Sequence, residues 1–230
     1  MTASVTTTSS TTASSTTATV APSAAASSAG TRVLLICAAV SAPLWAAVSL
    51  IQAATRAGFD LTRHPLSQLS TGSLGWLQIT NFLVAGLLTV IGAAGLRRVV
   101  RSKWAPRLVR INGLGMMAAG VFVMDPADGF PAGTPAGMPA SLSWHSYGHF
   151  ASGTIAFAAL IAACYVLGRE FSRDGDRGRA IVSRITGTAT LVGNLWAMTG
   201  GKAGSLTLAL GVIPSMLWIS ALAARHLRRR

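Results

Sequence analysis

The chain has 230 residues, of which 51% are apolar and only 11% charged, with a mean hydropathy of +0.52 and a formal net charge of +13. That balance excludes a water-soluble globule and a disordered chain, and two cysteines, Cys37 and Cys164, are too few for a disulfide scaffold. What remains is an all-α polytopic membrane protein with one strongly basic side.

Residues 1–32 are rich in Ser, Thr and Ala and carry no charge before Arg32. Such a segment buries too little apolar surface to offset the entropy of ordering, so it reads as a disordered tail. It has neither the basic start nor the adjoining apolar core of a secretory signal. The first apolar run, 33–54, is long enough to cross a hydrocarbon layer of roughly 30 Å at about 1.5 Å per residue, and reads as an uncleaved first span. Five more runs follow: 76–96, 108–124, 147–168, 185–199 and 206–224. Lipid leaves backbone groups no partner outside helices or closed barrels, and uninterrupted runs of this length indicate helices. The expected architecture is therefore a bundle of six transmembrane helices over 33–224, with a basic tail at 225–230. The fifth run is the most polar, because Thr186, Thr188, Thr190 and Asn194 lower its hydropathy and Gly200, Gly201 and Gly204 end it early. Small residues four apart, at Ala189, Gly193 and Ala197 and at Gly148, Ser152 and Ala156, predict close helix contacts. Pro43 and Pro214 fall inside spans and predict local rearrangement of the hydrogen-bond ladder. No internal repeat marks the duplicated halves of a transporter.

The charges test this plan independently. With the N-terminus inside, sixteen of the nineteen Lys and Arg residues fall on inner segments: Arg32, the cluster from Arg97 to Arg110, the cluster from Arg169 to Arg184, and the four at the C-terminal end. Only Arg56, Arg63 and Lys202 fall outside. The bias indicates an even number of spans and cytoplasmic termini, and it makes the charge an orientation signal instead of a nucleic-acid signature. The expected partners are the lipid bilayer, anionic lipids at the basic inner loops and an unspecified membrane protein, with no nucleic acid.

Three outer stretches carry the polar residues that chemistry would need. The run from His64 to Gly72 places Pro65 at the start of a short helix, with Leu66 and Leu69 able to dock on the bundle. It reads as an interfacial loop helix or, more sharply, as a lid carrying His64 and Ser67. Asp125 and Asp128 lie in a loop, 125–143, with no basic residue, so their carboxylates face water, a metal ion or a residue of another loop. His145 and His149 are spaced i, i+4 on the fourth span, which lets both imidazoles reach one metal ion. His149 lies one turn inside the apolar layer, where an ionisable group is a functional candidate. Paired neutral histidines bonding across a helix interface would explain the same spacing.

These stretches, together with the run from Val121 to Pro135 and that from Ser143 to Phe150, resemble the domain-of-unknown-function 998 family of bacterial membrane proteins. The resemblance covers about residues 33–224 and implies a six-helix fold whose recurrent polar positions are His64, Pro65, Ser67, Asp125, Pro126, His145 and His149. It brings no reaction with it. It places the chain, as a multi-pass protein, in a bacterial plasma membrane.

Three functions remain open. The first is a noncatalytic lipid or small-molecule binding protein, carrier or complex partner. The second is a zinc-dependent hydrolase of the outer leaflet in which Asp125, His145 and His149 hold Zn²⁺ and activate water against a lipid ester or amide. The third is a b-type haem protein, for which His64 with His145 or His149 is the ligand pair, since i, i+4 histidines cannot take opposite sides of one ring and His226 lies at the other end.

Overall fold

Hydropathy tells where the chain meets lipid, but caps decide where its helices begin and end. The computed structural model describes residues 1–3 and 24–228. Among the described residues there are six long helices and no strand: α1 (Ala24–Thr55), α2 (Gly75–Leu96), α3 (Trp104–Val121), α4 (Trp144–Arg173), α5 (Arg177–Met198) and α6 (Gly204–Arg228). Helix α3 starts four residues before its apolar run because the Ser102 hydroxyl accepts from the amides of Trp104 and Ala105 at 3.1 and 3.2 Å. Pro106 then sits in the first turn, where its missing N–H is harmless. Ser143 caps α4 by accepting from Ser146 N–H at 3.2 Å, and α4 continues through its charged end to Arg173. The Asp176 carboxylate accepts from Arg179 N–H at 2.9 Å, so α5 begins at Arg177, eight residues before the run expected from 185.

Helix α1 begins at Ala24, within the segment 1–32 read as a tail, and runs without a break into the first apolar run. The rest of that tail, 4–23, lies outside the described residues. The basic tail from Arg225 is the last turn of α6 as far as Arg228, with 229–230 outside the description.

Each helix packs antiparallel on its neighbour in sequence, and α1 closes the ring against α6. Glycines set the approach. A Cβ on Gly92 would lie 2.6 Å from Ala38 of α1, and one on Gly211 would lie 2.5 Å from the Ala189 carbonyl of α5. The expected small-residue faces are used: Gly148 meets the Phe122 ring, Ser152 and Ala156 meet Gly115, and Gly193 meets the backbone of Thr207. Near Pro43, Ser220 of α6 donates to the Ala38 carbonyl at 2.6 Å and accepts from Ala42 N–H at 3.4 Å, so a neighbouring helix supports the ladder beside the proline.

The bundle is apolar outside and partly polar inside. Val33, Ile36, Ile51, Leu87, Leu114, Ile155 and Leu210 are all exposed, an area of apolar surface no water-soluble monomer presents. Four helices, α1 from Ala29, α2, α4 and α6, are long and apolar enough to cross a membrane. By the same measure α3 and α5 fall short of the six spans expected. Arg107 and Arg110 lie in α3, and α5 carries three arginines and several threonines. In α5, Thr186 and Thr190 are buried, whereas Thr188 is exposed and bonds the Tyr165 hydroxyl at 2.7 Å. Thr190 Oγ1 meets the Gly211 carbonyl at 2.9 Å and the Ser215 hydroxyl at 2.7 Å, while Ser215 donates to the Thr186 carbonyl at 2.7 Å.

Candidate functional site

Antiparallel alternation brings the segments between α1 and α2 and between α3 and α4 together at the charge-poor end of the ring. The expected loop helix is present as a 3-10 turn, Leu66–Ser70, with Pro65 before it and both Leu66 and Leu69 buried. His64 beside it is only 1% exposed. Its Nδ1 accepts from Asp60 N–H at 2.9 Å, which places the ring proton on Nε2, 2.9 Å from the Asp128 carbonyl. The ring is flanked by Phe59 and Phe130, with centroids 5.4 and 5.5 Å away. His64 is thus a bolt between two loops, and neither ring nitrogen is left for iron.

Asp128 finds its partner in the other loop. Arg63 forks onto its carboxylate at 2.8 and 3.1 Å, and onto its carbonyl at 2.9 Å. Hydrogen bonding and charge from Arg63 hold the Asp128 carboxyl below the ordinary range, and the same pair raises the Arg63 guanidinium. Two residues not singled out in the sequence complete the staple. Gln68 is buried and donates from Nε2 to the carbonyls of Ala127 at 2.6 Å and Phe130 at 3.3 Å. Arg56 donates to the carbonyls of Leu69 and Thr71, closing the end of the 3-10 turn, and lies 4.7 Å from the centre of the Phe130 ring. Partial burial lowers its pKa. Ser67 donates to the Met124 sulfur at 3.3 Å.

Asp125 anchors the start of α4. Its Oδ2 accepts from Ser143 N–H at 2.7 Å and from the Ser146 hydroxyl at 2.9 Å, and Ser146 Oγ accepts from Asp125 N–H at 2.7 Å. The Ser143 amide holds this carboxyl below its ordinary range, with the hydroxyl bonds and the nearby His145 adding to the effect and burial opposing it. His149 is buried and directs Nδ1 at the carbonyls of Ala119 and Phe122, 2.9 and 2.8 Å away, where the last turn of α3 leaves acceptors unpaired. His145 is half-exposed and lies against Trp144, ring centroids 3.7 Å apart. Among the described residues no group of three or more His, Cys, Asp and Glu side chains is placed to hold a metal ion. Asp125, His145 and His149 share one helix junction without forming such a set.

Beneath this lid lies a partly open pocket of about 70 Å³. Pro65, Leu66 and Ser67 form its roof, and Trp45, Phe82, Asn112, Met116, Phe157 and Val212 belong to its walls. The volume admits a few waters or the polar end of a longer molecule, with the apolar remainder extending through the opening. One wall carries an anomaly: Trp45 is 5% exposed and its Nε1–H has no hydrogen-bond partner. Next to it, Ser49, Gln52, Gln78 and Asn81 form a buried amide network between α1 and α2 in which Gln52 Oε1 and Asn81 Oδ1 are also unpartnered.

Six antiparallel helices with an apolar exterior, a stapled lid and a partly polar interior make a membrane-like helical bundle with a pocket beneath its lid. The chain belongs to the family described as proteins of unknown function, DUF998, whose profile matches residues 39–225. No curated protein and no solved structure matches it.

Proposed function

We propose that this chain is a noncatalytic six-span protein of the bacterial plasma membrane, with cytoplasmic termini, that binds a small amphipathic molecule in the cavity beneath its outer lid. The observation that carries the reading is Trp45, a lining residue of the pocket whose buried Nε1–H has no hydrogen-bond partner. A buried polar group left unpaired costs about 1–3 kcal/mol, which a ligand oxygen would recover. The rest of the wall is mostly apolar, so the ligand has an apolar body and one acceptor.

Two features support six spans. Helix α5 exposes Ile181, Ile185, Val192, Leu195 and Met198, and α3 exposes Ile111, Leu114 and Val121, so both present lipid-compatible faces outward. Their arginines lie in the half nearest the end where the basic clusters gather, from which long side chains reach the headgroups. The lid residues are engaged in structural bonds, which favours a binding role over hydrolysis.

A thermal-stability comparison in detergent tests the binding reading. We expect 2-octanone to raise the melting temperature more than octane, and Ala209→Phe, which fills the cavity, to abolish the difference. Equal effects of the two probes, or an unchanged difference in Ala209→Phe, would reject it. Orientation is tested separately on intact cells: Thr62→Cys should react with an impermeant maleimide and Arg177→Cys should not. The reverse pattern would reject cytoplasmic termini.

A further inference from the structure

At the opposite end of the bundle, the segment joining α2 to α3 folds against the last turns of α4 and leaves a pocket of about 360 Å³. Its size lies within the range of ligand sites. Four cationic side chains line it: Arg101, Lys103, Arg169 and Arg173. Glu170 and Asp174 also line it, but both acids are committed. The Glu170 carboxylate accepts from the amides of Arg101 and Ser102 at 2.7 and 2.8 Å, fixing the joining segment on α4. Asp174 pairs with Arg101 at 2.7 Å. Among the described residues Lys103, Arg169 and Arg173 make no ion pair. Arg169 and Arg173, four apart, occupy one face of α4.

The other walls are of a different character. Val166 lies one turn deeper on α4, and the exposed indole of Trp104 stands at the rim with Arg107 5.3 Å from its ring centre. An interfacial aromatic, an apolar wall toward the hydrocarbon and uncommitted cations at headgroup depth together suit a molecule with a phosphate at one end and acyl chains at the other.

We propose that this pocket binds the headgroup phosphate of an anionic phospholipid, with Lys103, Arg169 and Arg173 as its cations and Trp104 beside the glycerol region. The site shares only the membrane setting with the cavity reading above, and neither depends on the other. Fixed by Glu170, the joining segment presents Lys103 without having to be ordered by the lipid, which lowers the entropic penalty of binding.

The experiment titrates the detergent-purified full chain with dihexanoyl-phosphatidylglycerol, dihexanoyl-phosphatidylcholine and inorganic phosphate, reading the bound state by native mass spectrometry. The anionic lipid should bind best. Arg169→Gln/Arg173→Gln should weaken it by roughly ten- to thirtyfold, from the loss of two cations near the headgroup. Arg97→Gln/Arg228→Gln removes the same charge elsewhere at this end and should change binding less than threefold. Circular dichroism and the melting temperature establish that both variants are folded. Equal losses in the two variants would overturn the site in favour of diffuse charge attraction. Inorganic phosphate binding as tightly as the lipid would overturn the lipid assignment in favour of a soluble phosphate ligand, and equal binding of phosphatidylcholine would overturn the role of the cations.

Discussion

Replacing His64 by Ala should open the outer lid while leaving the helical ring intact. The substitution removes the bonds to Asp60 N–H and the Asp128 carbonyl and two ring contacts, with Phe59 and Phe130. Each hydrogen bond is worth about 1 kcal/mol net and each aromatic pair about 0.5–1 kcal/mol, giving about 3 kcal/mol in all. The opening equilibrium then rises on the order of a hundredfold. Because the lid is one layer of loops, the loss falls on local opening and spares global unfolding. Hydrogen–deuterium exchange is the assay. Amides of 126–137, in the partner loop, should exchange on the order of a hundred times faster in His64→Ala, while those in the middle of α2 and α4 keep their protection. His145→Ala is the contrast, since that half-exposed ring packs on Phe122 and Trp144 and adds only a weak charge effect at Asp125. Unchanged exchange of 126–137 in His64→Ala, or an equal effect from His145→Ala, would refute the bolt.

Acid should loosen the same lid. Asp125 and Asp128 both have carboxyls held below the ordinary aspartate value, so the closed lid binds fewer protons than the open one and its stability rises with pH. The contribution is present above the ordinary aspartate value and is lost as pH falls through the lower, closed-state values, which proteolysis of 126–137 between about pH 5 and pH 2.5 should show; unchanged proteolysis over that range would contradict it. In Arg63→Gln the Asp128 part of that acid dependence should shrink. Gly211→Ala should destabilise the α5–α6 contact by about 1–3 kcal/mol through overpacking, whereas Gly153→Ala, with open space at its Cβ, should be neutral or stabilising by up to about 1 kcal/mol; denaturant titration reads both. Trp45→Phe should keep or slightly raise stability, because it removes a buried unpaired donor, yet abolish the response to 2-octanone.

The helices were legible in the sequence because lipid demands long apolar runs, and α2 ends within one residue of its apolar run. The boundaries of α3 and α5 were not, since Ser102 and Asp176 cap them outside the apolar runs. The hydroxyls of Thr186 and Thr190 lowered the apparent apolarity of α5, although both are buried: Thr190 bonds α6, and Thr186 bonds the Ser183 carbonyl and Cys164 of α4. At the outer end, His64, Ser67, Asp125 and Asp128 were recognisable as unusual polar residues, and one option for the acids, a residue of another loop, is Arg63. What remained hidden is pairing across segments. Gln68 and Arg56 bond backbone carbonyls more than ten residues away, and backbone carbonyls leave no trace in side-chain motifs. The spacing of His145 and His149 is real, but α3 ends where His149 can satisfy its last carbonyls, and that gives the i, i+4 pair a structural use. Trp45 carries no sequence signal at all, since its interest lies in an absent partner.

The most direct measurement of the cavity reading is the indole ¹⁵N–¹H resonance of Trp45 in the detergent-solubilised chain, assigned by its loss in Trp45→Phe. On adding 2-octanone, the account predicts a downfield shift of the Nε1 proton as it gains an acceptor, with no such shift from octane or in Ala209→Phe. A Trp45 resonance indifferent to 2-octanone, or one that shifts equally in Ala209→Phe, would contradict it.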